Sequence, residues 1–204
     1  MQIIFATKNK GKIREINEIM KDMNIEVISM EDAKINIDIV ESGTTFEENA
    51  TIKAVQVMKA SGKITLSDDS GLEVDYLNKE PGVYSSRYMG ENTPYEDKNR
   101  NIIERLNGVD ENKRTARFVS VIAAAFPDGN VITSRGTIEG LIAYEPKGEN
   151  GFGYDPIFYV PKYNMTTAQM SPELKNSISH RGKALKLMKE KLKELEGFKW
   201  KYLF

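Results

Sequence analysis

Asp68-Asp69-Ser70-Gly71 follows an apolar run, Ile64 to Ser67, and sets two carboxylates side by side. Adjacent carboxylates repel each other, and the carboxyl end of an apolar strand is where open α/β sheets place ligands. The pattern suits a hard cation, because Mg²⁺ takes one or two carboxylates and completes its shell with water and phosphate oxygens. Glu41, Glu47 and Glu48, a short way upstream, could supply further ligands. Asp-Ser-Gly is equally good turn chemistry, so an Asx-type turn explains the same four residues.

A second group of residues suits phosphate. Thr7-Lys8-Asn9-Lys10-Gly11-Lys12 follows the apolar run Gln2 to Ala6 and precedes a helical pattern. Backbone N–H groups and the positive end of a helix favour anions there. Lys8, Lys10 and Lys12 add charge, and Thr7 and Asn9 add hydrogen-bond donors. The spacing is not that of a Walker loop. A polar turn with solvated lysines is the simpler alternative.

A third group suits a base. Gly151-Phe152-Gly153-Tyr154-Asp155-Pro156 combines glycines, which let backbone approach a ligand closely, with aromatic rings on which a base can stack. A tight turn with two core aromatics would read the same way. His180 is the sole histidine and sits beside Arg181, with Lys175 a few residues upstream. A lone histidine is more often structural or solvated, but these neighbours favour anion or base-edge recognition.

The elements that must position these groups alternate. Gln2 to Ala6 and Ile25 to Ser29 read as strands, with Ile13, Ile16, Ile19, Met20 and Met23 at helical spacing between them. Thr45-Phe46-Glu47-Glu48 fits a capping box opening a helix to about Ala60, which Gly62 ends. Ile64 to Ser67 is a strand running into Asp68-Asp69-Ser70-Gly71, and Leu72 to Leu77 alternates as another. Thr93-Pro94 opens a helix carrying Ile102, Ile103 and Leu106. Phe118 to Phe126 and Val131 to Ala143 are long β-rich runs joined at Pro127-Asp128-Gly129-Asn130. Ser171-Pro172 caps a C-terminal helical region, whose stripe of Leu185, Met188, Leu192 and Leu195 is closed by Gly197.

Composition narrows the class. The chain has 204 residues, long enough to bury a full core without disulfides or structural zinc. It contains no cysteine, which removes thiol nucleophiles and Cys-ligated metals. Its 29 basic and 30 acidic residues give a formal net charge of −1, without the basic excess of a general nucleic-acid binder. The N-terminal apolar run is too short for a signal core, and no stretch approaches a membrane span. The expectation is a cytoplasmic protein that binds neither nucleic acid nor membrane.

Six blocks, in order, resemble the noncanonical purine nucleoside triphosphate pyrophosphatases, the inosine/xanthosine triphosphate family in its bacterial dITP/XTP type. They are Thr7 to Lys12, Thr45 to Ala50 with Lys53, Ser67 to Leu72, Pro81 to Tyr88, Phe152 to Pro156 and Ser179 to Gly182. The resemblance runs from residue 2 to about 195, leaving the tail Phe198 to Phe204 without a reading. It implies an α/β fold with an elongated mixed sheet, two lobes flanking a central nucleotide-binding cleft. The chain would be a single domain over 1–204 with a long antiparallel part at about 115–145, working as a homodimer. The implied reaction is hydrolysis of ITP, dITP or XTP to the monophosphate and pyrophosphate, with Mg²⁺ as cofactor.

The resemblance also distributes roles. Thr7, Lys8, Asn9, Lys10, Gly11, Lys12 and Lys53 would contact phosphate. Glu41 and Asp69 would bind metal, with Asp68 as a further candidate, and Asp69 would also accept the proton of the attacking water. Ser70, Phe152, Gly153, Tyr154, Asp155, Lys175, His180 and Arg181 would contact substrate and base. Lys175, His180 and Arg181 are mainly donors, matching the 6-oxygen of hypoxanthine and xanthine and mismatching the amino group of adenine. A pyrimidine-selective pyrophosphatase would use the same chemistry. A nucleotide sensor or RNA-binding module that has lost catalysis would have no need to keep paired carboxylates poised for a metal.

Overall fold

A computed structural model describes residues 2–7, 10–21 and 25–199, without the side chains of 10, 11, 15 and 196–199. Seven strands and five α-helices follow in the order β1 (Gln2–Phe5), α1 (Lys10–Met20), β2 (Glu26–Ser29), α2 (Phe46–Ser61), β3 (Thr65–Val74), α3 (Tyr95–Arg105), β4 (Thr115–Ala125), β5 (Val131–Ile142), β6 (Phe158–Val160), β7 (Met165–Thr166), α4 (Pro172–Ile178) and α5 (His180–Lys199). They form one mixed open sheet in the order β2-β1-β3-β4-β5-β6-β7. β1 pairs in parallel with β2 and β3, whereas β5–β6 and β6–β7 are antiparallel.

The chain divides into two compact units. Unit 1 holds 1–69, 120–136 and 181–204, and unit 2 holds 70–119 and 137–180. In unit 1, β1 is buried on both faces. Ile3 and Phe5 join Ile16 and Met20 of α1, Leu66 of β3, and Leu185 and Met188 of α5. Ile4 and Ala6 turn the other way, towards Met30 and Val57 of α2. This is the period of two that a strand covered by helices on both sides requires. In unit 2, Leu72, Val74, Ile102, Leu106, Phe118, Ile138, Ile142 and Phe158 make a separate core.

Several expectations hold. Thr45 accepts from the Glu48 amide in a full capping box, and Gly62 ends α2 in the left-handed region at φ 66°. The 127–130 turn closes between β4 and β5, where the Phe126 amide donates to the Asn130 carbonyl at 2.9 Å. Ser171 caps α4, accepting from the Leu174 amide.

Three differ. Asp68 to Gly71 is not a turn at a strand end, because β3 runs unbroken from Thr65 to Val74 and all of its residues are buried or partly so. The Ser and Gly that suggest a turn are overridden by pairing and burial on both sides. The C-terminal helical region is two helices, broken at Ser179 where the backbone is extended at φ −64° and ψ 154°. Gly197 does not close the second of them, since α5 is described through Lys199. A helical glycine costs only about 1 kcal/mol relative to alanine and stops a helix only by turning left-handed. Met23 and Trp200 to Phe204 lie outside the described residues. No helix among the described residues is long and apolar enough to cross a membrane.

Candidate active site

Because Asp68 and Asp69 lie within a strand, their side chains leave on opposite faces of the sheet. Neighbouring in sequence, they meet different partners. Asp68 shares its parity with Leu66 and meets the α1 and α5 side, where Lys12 Nζ lies 2.8 Å from Oδ2 and 2.9 Å from Oδ1. Arg181 Nε, at the start of α5, lies 3.3 Å from the same Oδ2. Asp69 shares its parity with Ser67, whose hydroxyl donates to the Ala50 carbonyl of α2. On that face Lys53 Nζ reaches Asp69 Oδ1 at 3.1 Å and Glu41 Oε1 at 3.1 Å.

Helix α2 presents polar residues on its buried face. Phe46, Asn49, Ala50, Lys53, Ala54 and Val57 recur at helical spacing, and Asn49 and Lys53 are one turn apart. Lys53 joins the two carboxylates. Asn49 Oδ1 accepts the Gly43 amide at 2.9 Å, fixing the backbone two residues after Glu41. Gly43 must be glycine, as a Cβ there would fall 2.6 Å from Glu48 Cβ and 2.7 Å from Asn49 Oδ1. Asn49 lies inside the Thr45–Ala50 block, which gives it no role of its own, yet it builds the site. Its signal is a buried polar residue four before a buried lysine.

Electrostatics separates the two aspartates. Burial alone would raise the Asp68 carboxyl, but Lys12 and Arg181 beside it outweigh burial and hold it well below the usual carboxylate range. For Asp69 burial prevails over the opposing Lys53, and Glu41 and Asp68 push the same way, so its carboxyl rises to about 6. Lys12 is lowered by burial, with Asp68 opposing. Lys53 is held above its ordinary value because Asp69, Asp68 and Glu41 together outweigh its burial. A strongly ionised carboxylate thus sits beside one poised to take a proton near neutrality.

The donor set fits a divalent cation. Among the described residues no three His, Asp or Glu side chains form a preformed cage. Mg²⁺ seldom needs one, since it takes one or two carboxylates and fills its shell with water and phosphate. Glu41 and Asp69 already converge on one ammonium, and Asp69 Oδ2 is buried without a hydrogen-bond partner. Asp68, engaged by Lys12 and Arg181, is the less available of the pair.

Of the Thr7–Lys12 segment, Lys8 and Asn9 and the side chains of Lys10 and Gly11 lie outside the described residues. Thr7 follows β1, and Lys10 opens α1. Ser70 follows Asp69 on β3 and is half-buried.

The remaining candidates gather in unit 2. Asp155 is buried and acts as the hub of its loop. Oδ2 accepts the Phe152 amide at 2.8 Å and Lys175 Nζ at 2.6 Å, while Oδ1 accepts the Thr167 hydroxyl at 2.8 Å. Gly151 is left-handed at φ 79°, and a Cβ there would lie 2.2 Å from Asp155 Oδ2. The Phe152 ring is 54% exposed, with the Lys175 ammonium 5.0 Å from its centroid. Tyr154 is buried, its hydroxyl donating to the Ser85 carbonyl at 2.7 Å. His180 stacks on Phe118 at 4.9 Å and 22°.

A seven-stranded mixed sheet with a buried carboxylate–lysine centre defines an α/β protein built around a polar site rather than a scaffold. The chain belongs to the Ham1 family, whose model matches residues 3–191. The dITP/XTP pyrophosphatase of Desulforamulus reducens is 47% identical over 195 residues, covering 96% of this chain and 97% of that protein. The dITP/XTP pyrophosphatase of Clostridium perfringens is 45% identical over 198 residues, covering 94% and 97%. Among solved structures, the Ham1 protein of Staphylococcus aureus matches with a TM-score of 0.88 at 44% identity, covering 96% of this chain and 100% of that one.

Proposed function

We propose that this chain hydrolyses noncanonical purine nucleoside triphosphates, namely ITP, dITP and XTP, to the monophosphate and pyrophosphate, clearing them from the nucleotide pool. Two relatives, 47% and 45% identical and matched over nearly their whole length, carry the name dITP/XTP pyrophosphatase. The observation that carries the reading is Asp69, a buried carboxyl raised to about 6, pinned through Oδ1 by Lys53 and unpartnered at Oδ2.

Asp69 Oδ2 takes a proton from water as the water oxygen bonds to the α-phosphorus and the bond from that phosphorus to the α–β bridging oxygen breaks. The bridging oxygen leaves with pyrophosphate. Lys53 keeps Oδ1 and Glu41 in place during the transfer, and Asp68, ionised against Lys12 and Arg181, does not compete for the proton. The described cluster balances three cationic against three anionic side chains, so the charge of a triphosphate calls for further cations. Mg²⁺ held by Glu41 and Asp69 would supply Lewis-acid activation and neutralise phosphate charge. Thr7, Lys8, Asn9, Lys10, Gly11 and Lys12 are assigned to the phosphates.

In unit 2 the exposed Phe152 ring offers a stacking face, and Lys175 and His180 offer donors to the 6-oxygen. Gly153, Tyr154 and Asp155 shape that loop, while Ser70 and Arg181 complete the substrate contacts. The two units are read as lobes of one domain, paired with a second copy of the chain and working in the cytoplasm on free nucleotides. The test is a panel of purine and pyrimidine triphosphates with Mg²⁺, scored separately for pyrophosphate and orthophosphate. Pyrophosphate from ITP, dITP and XTP, with little from ATP, GTP or the pyrimidines, is the expected result. Orthophosphate release, or preference for a pyrimidine, would refute it.

A further inference from the structure

The block Pro81 to Tyr88 stands out in the sequence, yet none of its residues has a role in the reading above. In the structure it meets the first turns of α3 and the Gly151–Tyr154 loop, all within unit 2. Tyr154 donates its hydroxyl to the Ser85 carbonyl at 2.7 Å. Lys98, 1% exposed, donates from Nζ to the Ser86 carbonyl at 2.6 Å, and its ammonium lies 4.8 Å from the Tyr95 ring centroid. Tyr95 meets Tyr154 edge-on, centroids 5.3 Å apart at 89°. Asn99, also buried, donates from Nδ2 to the Gly153 carbonyl at 3.1 Å.

Two of these residues are poor choices for packing alone. Lys98 is a buried cation whose described hydrogen bond goes to a neutral carbonyl. Asn99 Oδ1 is buried without a hydrogen-bond partner, and an apolar side chain of the same shape would avoid that cost. What both positions supply is a donor, and each donor grips backbone. Gly153 is left-handed at φ 67°, a region that glycine enters about as readily as the right-handed one, so the Asn99 bond to its carbonyl helps to select it.

We infer that Asn99 and Lys98 are positioning residues that hold the Phe152–Tyr154 loop in its base-selecting shape and thereby set substrate choice rather than bond cleavage. The inference rests on the reading of that loop as the base site. A loosened loop leaves the Phe152 face unordered against the Lys175 ammonium in the free protein, so binding of the correct base must first order the pair. That penalty falls on base recognition and spares the phosphate end.

The test compares kcat and KM for ITP and ATP, and inhibition by inorganic triphosphate, in the wild type, Asn99→Leu, Lys98→Met and Phe152→Ala. In Asn99→Leu the ITP-to-ATP ratio of kcat/KM is expected to fall about tenfold, the size of one lost buried hydrogen bond. The fall comes through a raised KM for ITP, with kcat and triphosphate inhibition little changed. Lys98→Met is expected to move the ratio in the same direction, and it decides the matter alone if Asn99→Leu does not fold. Equal losses on ITP and ATP with weakened triphosphate inhibition would make the pair a general support and overturn the inference. A ratio altered by Phe152→Ala but by neither other variant would overturn it while leaving the loop as base site. A ratio unmoved by all three would remove the base site and the inference together.

Discussion

The charged cluster of unit 1 and the aromatic loop of unit 2 are built on different principles. The cluster draws Lys12, Glu41, Lys53, Asp68, Asp69 and Arg181 from distant parts of the chain and holds them by opposed charges at 2.8–3.3 Å. The loop is nearly contiguous, and its shape comes from backbone: a left-handed Gly151, a buried Asp155 collecting an amide, a hydroxyl and an ammonium, and the Gly153 carbonyl gripped from α3. Charge balance tunes proton affinity, whereas backbone grip fixes shape. The first property suits bond cleavage and the second suits choosing between bases of similar size.

The largest expected effect lies in the cluster. Asp69→Asn keeps the shape and removes the proposed proton acceptor, and general-base catalysis alone is worth ~10²–10⁴-fold. Turnover of ITP should fall by at least that factor while ITP binding, measured calorimetrically, largely survives. Activity within a few-fold of wild type would dissolve the distinction between the two regions.

A smaller effect concerns pH. The Asp69 carboxyl is raised to about 6, and Mg²⁺ on the same carboxylate would favour its ionised form, so ITP turnover should decline with acid only below that value. Each further unit of acid should cost about tenfold. The stability sign is opposite. A carboxyl raised in the folded state contributes stability that is complete below its unfolded value and is lost as pH rises through about 6. Asp69→Asn should therefore unfold at a higher temperature than wild type at pH 8, with the difference shrinking towards pH 4. A variant equally stable across that range would mean that Asp69 is not held against its burial.

The smallest effect is a cap. Thr45→Ala removes the hydroxyl that accepts the Glu48 amide at the start of α2, and such losses typically cost about 1 kcal/mol. Denaturant unfolding should report that loss. Because α2 carries Asn49 and Lys53, ITP and ATP use should decline together, with their ratio unchanged.

Elements whose residues agree locally were legible in the sequence. The capping box at Thr45, the Gly62 stop and the Pro127–Asn130 turn are short-range rules, and the structure follows them. The Asp68–Gly71 segment reads equally as a strand end or as a turn, because its residue types favour turns while its strand state depends on neighbours supplied from elsewhere in the chain. The opposite facing of Asp68 and Asp69 follows from that strand state and was hidden with it. Lys98 and Asn99 escaped notice for a related reason. A polar residue marks itself as a brace only once its burial and its distant carbonyl partner are known.

Division of labour between the two regions is the central claim, and one comparison tests it directly. It is the kcat/KM for ITP and ATP in wild type, Lys53→Ala and Lys175→Ala. Removing Lys53 leaves Glu41 and Asp69 without their shared cation, so both substrates should lose activity by the same factor, on the order of 10²-fold or more. Removing Lys175 should narrow the ITP-to-ATP ratio instead, since the donor proposed for the 6-oxygen is lost. A Lys53→Ala enzyme whose ratio shifts tenfold, or a Lys175→Ala enzyme whose ratio stays at the wild-type value, would contradict the account.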